Sequence, residues 1–580
     1  MTDSRILPAM TPPRWTWLPA QNTWGYHLLL AATGMLVLGP LAGVTAAYMN
    51  FSLGFFVGGQ VLAGLLGSAV TAGYGSEGRH GANYIQTAAA SVASMSGMGV
   101  LVQAMVWMGL PQPPLWQLVA YFVCIGMFGV GVGMLYTPVL VDRLRLAFPS
   151  GLAVANILRA LTDKTLLRRS VRHLGTGAAT GLVAGLLVPR IAFLGAIETS
   201  ASTFGAGLVI GARIGVPALV GGLIGVALQP LFVAIGWLEA GDPFRKIMFL
   251  IALGTIMGAA IVDLALIFRQ ALAAQGRDSA SAGNDDAGWR RVHRGRLVLW
   301  VIVWAAAVLA TGHLLLGQPL RFLALGVALV FLFAMVNGIA AGVSDSNPIS
   351  SAFVVSVVVM ALAGLTDPGA GLMAGAILLV STSVACDMQQ DRSTGWRLGT
   401  PRVLQFRYQV LGVLVGAVLA VLFARLFMAA YPVLALDQTV MKAGQQPAEW
   451  SSAMTYKFVG VLRSLTEDKP YQRTAIVVGV AIGFAIEVAR KILRPRAFWL
   501  DAIVLPSPYA LSFGGFVNLP TSCWLAAGGV AASVLEARTT KSRELPEDMS
   551  RTSLFGGGLI AGDALAALGL GIAGLLATVL

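Results

Sequence analysis

Long apolar stretches recur along nearly the whole chain and are separated by short polar segments. A helix that spans a bilayer needs roughly 20 mostly apolar residues, and stretches of this length occur repeatedly. Examples are residues 28–47, 115–140, 216–238, 320–343 and 403–428. The pattern predicts an all-α fold, namely a polytopic bundle of membrane helices.

The composition agrees with a membrane protein. Of the 580 residues, 57% are hydrophobic and only 11% are charged, whereas the surface of a soluble domain needs far more charge. The 69 glycines are typical of closely packed and broken helices in lipid. The first 23 residues lack the pattern of a cleavable signal peptide, so we expect the first apolar stretch to remain in the mature protein.

The net charge of +13 would suggest a nucleic-acid partner in a soluble protein. Here, Lys and Arg cluster in short hydrophilic segments, as is usual for the cytoplasmic loops of membrane proteins. Five segments hold most of the 39 basic residues, and these are 143–172, 269–296, 387–407, 490–496 and 538–551. We assign all five to the cytoplasmic side and expect no nucleic-acid partner.

Loops on the same face of a membrane are separated by an even number of crossings. Four apolar stretches precede Arg143, which places the N-terminus in the cytoplasm. Counting onward predicts about sixteen transmembrane helices, some broken or re-entrant, in the cell inner (plasma) membrane. The segment 448–466 is too polar to span and is expected to lie along the outer interface.

A hydrophilic stretch in the middle of the chain divides it into two parts of similar length. The prediction is an N-terminal transmembrane half (1–269), a cytoplasmic linker (270–296) and a C-terminal transmembrane half (297–580). Residues 77–95 and 344–360 are weakly similar, because each has an acid, then an Asn, then a run rich in Ser, Ala and Val. Since transporters are often built from internal repeats with sites between them, we expect such a repeat here.

Glu198 lies in a region where the parity of crossings requires a span. The candidate for that span is 192–212, and a carboxylate well inside a bilayer costs about 2.5–3.5 kcal/mol. A carboxylate is tolerated there when it faces a polar cavity, which indicates a functional role for Glu198. The alternative is a re-entrant loop with Glu198 near the surface.

Two segments combine helix-breaking Pro and Gly with polar side chains. They are 149–156, with Ser150 and Asn156, and 506–520, with Ser507, Tyr509 and Asn518. A short helix that starts inside the membrane offers free N–H groups to an anion, so both segments are candidate substrate sites. The alternative is a pair of ordinary loops at membrane depth.

A polar stripe begins at Glu77 and enters the next apolar stretch through Asn83, Tyr84 and Gln86. Asn83 and Gln86 are three residues apart and share one helix face. We predict substrate contacts for Asn83, Tyr84 and Gln86 and a proton-coupling role for Glu77. A solvated loop that caps a helix would also explain Glu77.

In the second half, Asp345 and Asn347 are the corresponding pair of candidate substrate-binding residues. The same alternative, a solvated loop that caps a helix, applies to them.

Several common signatures are missing from the sequence. There is no Gly-Lys pair for a phosphate-binding loop, no His-Glu-x-x-His and no Gly-x-Ser-x-Gly. The five histidines and three cysteines are scattered, so we expect no cofactor, no metal site and no enzymatic activity. A membrane-embedded enzyme, which would need a nucleophile–base pair or a metal cluster, remains a less favoured alternative.

Several motifs together resemble the oligopeptide transporter family, in the expected order over most of the chain. Glu198 with the glycine-rich stretch 205–218 is similar to a glutamate and glycine-rich region of that family. The other matching segments begin at Asn83 (Asn-Tyr-Ile-Gln-Thr-Ala-Ala), Phe148 (Phe-Pro-Ser-Gly-Leu-Ala), Ser393 (Ser-Thr-Gly-Trp-Arg-Leu-Gly-Thr-Pro), Pro506 (Pro-Ser-Pro-Tyr-Ala-Leu-Ser-Phe-Gly) and Gly558 (Gly-Leu-Ile-Ala-Gly-Asp-Ala-Leu).

The chain departs from this family at two places. The usual Asp-x-Lys-Thr-Gly of a cytoplasmic loop reads Asp391-Arg-Ser-Thr-Gly, and the Asn-Pro-Gly stretch of eukaryotic peptide-carrying members is absent. The resemblance is therefore to a divergent prokaryotic member, related to the yellow-stripe-like branch. It implies about sixteen helices and proton-coupled uptake of small peptides or metal–chelate complexes.

These observations lead to one functional hypothesis, a secondary active transporter in the lipid bilayer. Protons would be coupled to a peptide or metal–chelate substrate, with Glu198 as the leading proton acceptor because a desolvated carboxylate has a raised pKa. A passive permease or channel is the alternative. The sequence leaves a homo-oligomer open.

Overall fold

The computed structural model describes most of the chain. The described residues are 18–54, 59–146, 148–160, 164–191, 193, 197–275, 288–344, 349–442, 445–447, 450–466, 470–493, 504–538 and 550–579. Asp345 and Asn347 lie outside them. Within these ranges the secondary structure consists of helices and connecting turns, without a β-strand.

Eleven α-helices precede the central hydrophilic region in the described ranges. They are α1 (Trp24–Ala32), α2 (Gly39–Ser52), α3 (Gly59–Thr71), α4 (Gly78–Gly97), α5 (Val100–Trp107), α6 (Leu115–Thr137), α7 (Pro149–Ala160), α8 (Lys164–Leu187), α9 (Ala201–Ile210), α10 (Ala212–Ala234) and α11 (Arg245–Gln275). Helix α11 therefore includes the first six residues of the predicted linker 270–296.

Ten α-helices follow that region in the described ranges. They are α12 (Arg294–Ala310), α13 (Leu320–Ser344), α14 (Ile349–Leu362), α15 (Pro368–Leu398), α16 (Arg402–Ala430), α17 (Ala453–Thr466), α18 (Pro470–Leu493), α19 (Pro508–Phe516), α20 (Leu519–Arg538) and α21 (Arg551–Val579). Both parts of the chain contain long and short helices.

Nine helical segments of the described residues are long and apolar enough to cross a membrane. They are Trp24–Ser52, Leu66–Trp107, Leu115–Arg143, Ala212–Ala234, Gly288–Leu315, Leu320–Ile339, Pro368–Leu398, Arg402–Ala430 and Arg551–Leu570. Shorter apolar helices accompany them at Ala201–Ile210 and Ala352–Leu362. The prediction of a polytopic helical bundle is confirmed, whereas the count of sixteen stays a prediction.

Helix α15 occupies the interior of the bundle, and the apolar 18-residue window of this helix is completely buried. It packs on α4, α6, α7, α13 and α14. Small residues allow the close approach, since a Cβ on Gly129 of α6 would lie 2.6 Å from the carbonyl oxygen of Ser381. Any larger side chain at such a contact would separate the helices.

Glycines also join the outer helices in two similar contacts. In the contact of α8 with α21, the Cβ position of Gly177 lies 3.1 Å from the Cα atom of Gly558. In the contact of α11 with α18, the Cβ position of Gly254 lies 3.0 Å from the Cα atom of Gly479. Helices with small residues at the crossing can bring their backbones together.

Two short helices end in breaks before a longer helix continues. Helix α9 ends at Ile210 and is followed by Gly211, whose φ of 74° favours glycine. Helix α19 ends at Phe516 and is followed by Val517, which has an extended backbone (φ −114°, ψ 166°), and α20 begins at Leu519. Breaks of this kind leave helix termini free to meet side chains or ligands.

The structure corrects the predicted continuous span at 192–212. Helix α9 covers only Ala201–Ile210, and Glu198 precedes it in a non-helical segment. The reason is local, because the Ser200 side chain accepts a hydrogen bond from the Thr203 backbone N–H (3.1 Å) and starts the helix there.

The structure buries two polar segments that the sequence placed at the surface. The segment 387–407, assigned to the cytoplasmic side, includes the last turns of α15, where Gln389–Thr394 are buried, and its side of the membrane stays a prediction. The segment 448–466, predicted to lie along the outer interface, contains α17, and residues 451–462 are buried. Polar side chains of both segments form hydrogen bonds inside the protein, for example Thr394 with the Gly151 carbonyl and Thr455 with Gln103.

Candidate functional site

A buried group of polar side chains lies where α4, α15 and α16 meet. We call it the central polar cluster, and it consists of Asn83, Gln86, Thr87, Asp391, Arg392, Thr400 and Gln405. Gln86 donates to Asp391 Oδ1 (2.7 Å), and Asn83 donates to Thr400 Oγ1 (3.2 Å). The cluster joins residues that are about 300 positions apart in sequence.

Gln405 closes this cluster from α16. Its amide nitrogen donates both to Thr87 Oγ1 (3.0 Å) and to the backbone carbonyl of Asp391 (2.8 Å). Gln86 and Thr87 lie three and four residues after Asn83 on α4, so both are close to Asn83 on the helix surface. These three residues form part of the polar stripe that the sequence indicated.

Several atoms of the central polar cluster have no hydrogen-bond partner among the described residues. They include Asn83 Oδ1, Gln86 Oε1 and Asp391 Oδ2, although Asn83 and Gln86 are both 0% exposed. Buried polar atoms in proteins are nearly always hydrogen-bonded, and leaving them unpaired is costly. These atoms are therefore available to a ligand that enters the cluster.

Arg392 adds a positive charge to the same cluster. It is 1% exposed, and one of its two terminal nitrogens lies 3.4 Å from Gln409 Oε1. Its Nε and the other terminal nitrogen have no hydrogen-bond partner in the part of the chain that the structure describes. A guanidinium presents several donors in a fixed plane. The sequence analysis noted this residue only as a departure from a family motif and missed its position.

Tyr84 lies beside the central polar cluster and stacks on Tyr408 of α16. The ring centres are 4.9 Å apart and the planes differ by 6°. The Tyr408 hydroxyl lies 3.0 Å from His27 Nδ1, so Tyr84 forms part of a layer of aromatic side chains. Its packing role is clear from these contacts.

Glu77 is the outermost of the predicted residues on this stripe. Its side chain is 51% exposed and lies 3.9 Å from His80 Nε2. His80 in turn contacts Thr400 Oγ1 (3.0 Å). Glu77 is thus connected to the cluster through His80 but is not buried within it.

Ser150 and Asn156 belong to α7, which packs against the same part of α15. The Thr394 hydroxyl donates to the carbonyl oxygen of Gly151 (2.9 Å), and the Cβ position of Gly151 lies 2.6 Å from the carbonyl oxygen of Gln390. Both Ser150 and Asn156 are half-buried. The predicted short helix therefore exists and reaches the end of α15.

A second group of polar residues surrounds the break between α19 and α20. We call it the helix-break cluster, and it consists of Glu198, Asn518 and Thr521. Asn518 Nδ2 donates to Glu198 Oε2 (3.2 Å), and Asn518 Oδ1 accepts from the Thr521 backbone N–H (3.2 Å) and hydroxyl. The structure thus joins two residues that the sequence had singled out separately.

Glu198 has two unusual properties in this position. Its backbone φ is 49°, in the left-handed region that non-glycine residues rarely adopt and that often occurs at functional sites. Partial burial raises the pKa of the Glu198 carboxyl, while the hydrogen bond from Asn518 opposes this by stabilising the ionised form. A carboxyl of this kind can bind and release a proton nearer to neutrality.

Asp563 of α21 holds the start of α9 next to Glu198. Its Oδ2 atom accepts from the Ser202 backbone N–H (3.0 Å) and from the Tyr48 hydroxyl (3.2 Å). A carboxylate at a helix N-terminus is favoured by the free N–H groups. The sequence showed Asp563 within a family-like motif but did not identify this role.

Two further predicted residues lie at the beginning of α19, at the end of this helix opposite to the break. Ser507 is the N-cap residue of α19, although its side chain makes no capping hydrogen bond, and Tyr509 is half-buried in the first turn. The described residues contain no group of three or more His, Cys, Asp or Glu side chains that could hold a metal ion.

Comparison with known proteins identifies the family. The model of a family described as "OPT oligopeptide transporter protein" matches residues 29–573. A Haemophilus influenzae protein named "Putative oligopeptide transporter" is 22% identical over 587 aligned positions, which cover 89% of this chain and 91% of that relative. With its helical bundle, the chain belongs to the OPT oligopeptide transporter family and is a multi-pass membrane transporter.

Proposed function

We propose that this protein is a secondary active transporter that carries small peptides across the inner membrane together with protons. The observation that supports this best is the central polar cluster, in which Asn83, Gln86 and Asp391 keep unpaired oxygen atoms inside the protein. Polar groups within a membrane protein are costly and usually mark a substrate or ion pathway. Peptides are favoured as substrates by the name of the Haemophilus relative, and metal–chelate complexes are the second substrate class to test.

The cluster has the chemistry to recognise a peptide backbone. Unpaired carbonyl and carboxylate oxygens of Asn83, Gln86 and Asp391 accept hydrogen bonds from peptide N–H groups or from an ammonium group. The free guanidinium nitrogens of Arg392 donate to carbonyl or carboxylate oxygens. Together they match a ligand with alternating donors and acceptors.

The other candidate residues complete the proposed pathway around these contacts. Half-buried Ser150, Asn156, Ser507 and Tyr509 lie at short helices that bound it, and Asp345 and Asn347 keep their proposed role from the sequence. Glu77 would exchange protons with the aqueous side, because its side chain is exposed and lies beside His80.

Glu198 is the proposed proton-coupling group. Its carboxyl is half-buried, its pKa is raised by burial, and its hydrogen bond to Asn518 ties it to the break between α19 and α20. Protonation would remove the charge that Asn518 stabilises and change the contact across this break. A proton could thereby bias the arrangement of the helices on either side.

The two-part organisation fits this mechanism. The proposed halves, 1–269 and 297–580, are joined by the linker 270–296, and the glycine contacts of α8 with α21 and of α11 with α18 are closely similar. Repeats that move against each other around a central site are the usual means of alternating access. Both clusters contain residues from both proposed halves.

The test is uptake by proteoliposomes containing the purified protein. A panel of di- to tetrapeptides and metal–chelate complexes is offered with and without an imposed pH gradient. We expect saturable peptide uptake that the gradient stimulates. Uptake that neither saturates nor responds to the gradient would favour a passive channel and overturn the proposal.

Glu198→Gln tests the coupling residue directly. The amide keeps the shape but cannot release a proton, so uptake driven by the pH gradient should fall by about tenfold or more, while peptide exchange at equal pH persists. The control is Glu239→Gln, since Glu239 is an exposed surface residue paired with Lys442. Unchanged gradient-driven uptake in Glu198→Gln would remove Glu198 from the mechanism.

A further inference from the structure

Lys457 lies in the second turn of α17, a short helix whose beginning is firmly anchored. The backbone N–H groups of Ser451 and Ser452 donate to the carbonyl oxygens of Ser52 and Phe51 at the end of α2, each at 2.9 Å. The Thr455 hydroxyl donates to Gln103 Oε1 of α5 (2.6 Å). The position of Lys457 is therefore set by the interior of the bundle.

The ammonium group of Lys457 is buried without an anion. The residue is only 9% exposed, and its Nζ lies 3.7 Å from the centre of the Phe516 ring. No carboxylate or hydrogen-bond acceptor contacts this group in the described part of the chain. By contrast, Lys246, Lys442 and Lys491 each contact a carboxylate.

A buried ammonium group needs compensation for the water that it has lost. A cation–π contact with one Phe ring replaces part of that hydration, but an uncompensated buried charge is strongly unfavourable. A carboxylate is the usual partner, because it supplies both the opposite charge and hydrogen-bond acceptors. The position is therefore suited to an anionic group that arrives from outside the protein.

The location connects Lys457 with the helix-break cluster. Phe516, which covers the ammonium group, is the last residue of α19. Two residues later, Asn518 hydrogen-bonds to Glu198. Lys457 therefore contacts the residue before this short break, and Glu198 contacts a residue within it.

We propose that Lys457 binds a carboxylate of the transported molecule, such as the C-terminal carboxylate of a peptide, at the break that follows Phe516. The inference rests on the proposed transport function and specifies one recognition element of the substrate. The phenyl ring of Phe516 shields the pair from water on one side, which strengthens the attraction between ammonium and carboxylate. Substrates that lack a carboxylate lose this contact.

The experiment compares binding of trialanine with binding of its C-terminal amide to the purified full-length protein, using calorimetry at constant pH. The wild type should bind the free acid at least about tenfold more tightly than the amide. In Lys457→Gln this preference should disappear, through loss of affinity for the acid, while affinity for the amide stays within about threefold. Lys457→Arg should retain part of the preference, because the charge is kept.

Two controls separate carboxylate binding from a role in folding. Lys442→Gln removes a partly exposed lysine of a surface ion pair and should keep the acid preference. Lys457→Met removes the unpaired charge but keeps an unbranched apolar chain, so its melting temperature should equal or exceed that of the wild type. A large fall in melting temperature would indicate a structural role and contradict the proposal.

The outcomes also distinguish this inference from the proposed transport function. Gradient-driven uptake of both peptide forms without an acid preference would overturn the role of Lys457 and leave transport intact. Acid-selective binding without gradient-driven uptake would overturn proton-coupled transport and leave the carboxylate site. A wild type that binds neither form, or a Lys457→Gln variant that keeps the acid preference, would overturn the carboxylate site.

Discussion

The break between α9 and α10 and the break between α19 and α20 share a pattern of glycine contacts but differ in their polar residues. Gly207 is the seventh residue of α9, and Gly514 is the seventh residue of α19. The Cβ position of Gly207 lies 2.9 Å from the Cα atom of Gly528 on α20, and that of Gly221 on α10 lies 3.6 Å from the Cα atom of Gly514. The two contacts are reciprocal.

The polar residues do not follow this reciprocity. Counted from Gly207 and Gly514, Asn518 lies at the position that corresponds to Gly211 in the first break. Glu198 lies three residues before α9, and the corresponding residue before α19 is Leu505. The hydrogen bond between Glu198 and Asn518 therefore has no equivalent at the mirrored position. Packing is shared by both breaks, whereas a titratable contact is formed only once. Three predictions test this comparison.

The largest effect is expected where helix backbones touch. A Cβ at Gly207 of α9 would overlap the carbonyl oxygen of Leu525, and one at Gly514 of α19 would overlap that of Ala218. Gly207→Val and Gly514→Val should therefore each destabilise the bundle by about 1–3 kcal/mol or more. The loss should appear as a lower melting temperature and less monodisperse protein in detergent.

Gly175→Ala is the matched control for these substitutions, because its Cβ position on α8 meets open space. It should be neutral or slightly stabilising. If one of the two Val variants behaved like this control while the other unfolded, the two helix contacts would not be equivalent, and the shared packing plan would be wrong.

An intermediate effect is expected from making the second break resemble the first. Asn518→Gly removes the donor to Glu198 Oε2, which stabilises the ionised carboxyl. The pKa of Glu198, already raised by burial, should rise further, so the proton remains bound to a higher pH. The pH of half-maximal gradient-driven uptake should move upward by several tenths of a unit. A downward shift or an unchanged profile would contradict the assigned contact.

The smallest effect is expected from the residue that orients Asn518. The Thr521 hydroxyl donates to Asn518 Oδ1 and so helps to point the amide nitrogen at Glu198. Thr521→Val should shift the same pH profile upward, by less than Asn518→Gly, because the Thr521 backbone N–H still donates (3.2 Å). Thr521→Ser keeps the hydroxyl and should match the wild type. A larger shift in Thr521→Val than in Asn518→Gly would reverse the assigned order.

The sequence predicted the apolar helices well, because length and hydropathy determine which segments can cross a bilayer. It also selected Glu198 and Asn518, but it could not pair them, since nothing local relates residues 320 positions apart. Asp391 and Lys457 were missed for another reason. Hydrophilicity is the same whether a segment lies at the surface or in the interior, and the segments of these two residues were assigned to the cytoplasmic side and to the outer interface.

The full enclosure of α15 has a consequence for how the protein is made. Its final turns carry Asp391 and Arg392, which would be poorly accommodated next to lipid tails. Gln86 on α4 is synthesised before them, and Gln405 on α16 is synthesised after them. During biogenesis, α15 must therefore wait beside earlier helices until α16 arrives, so assembly of this region is completed by a later segment of the nascent chain.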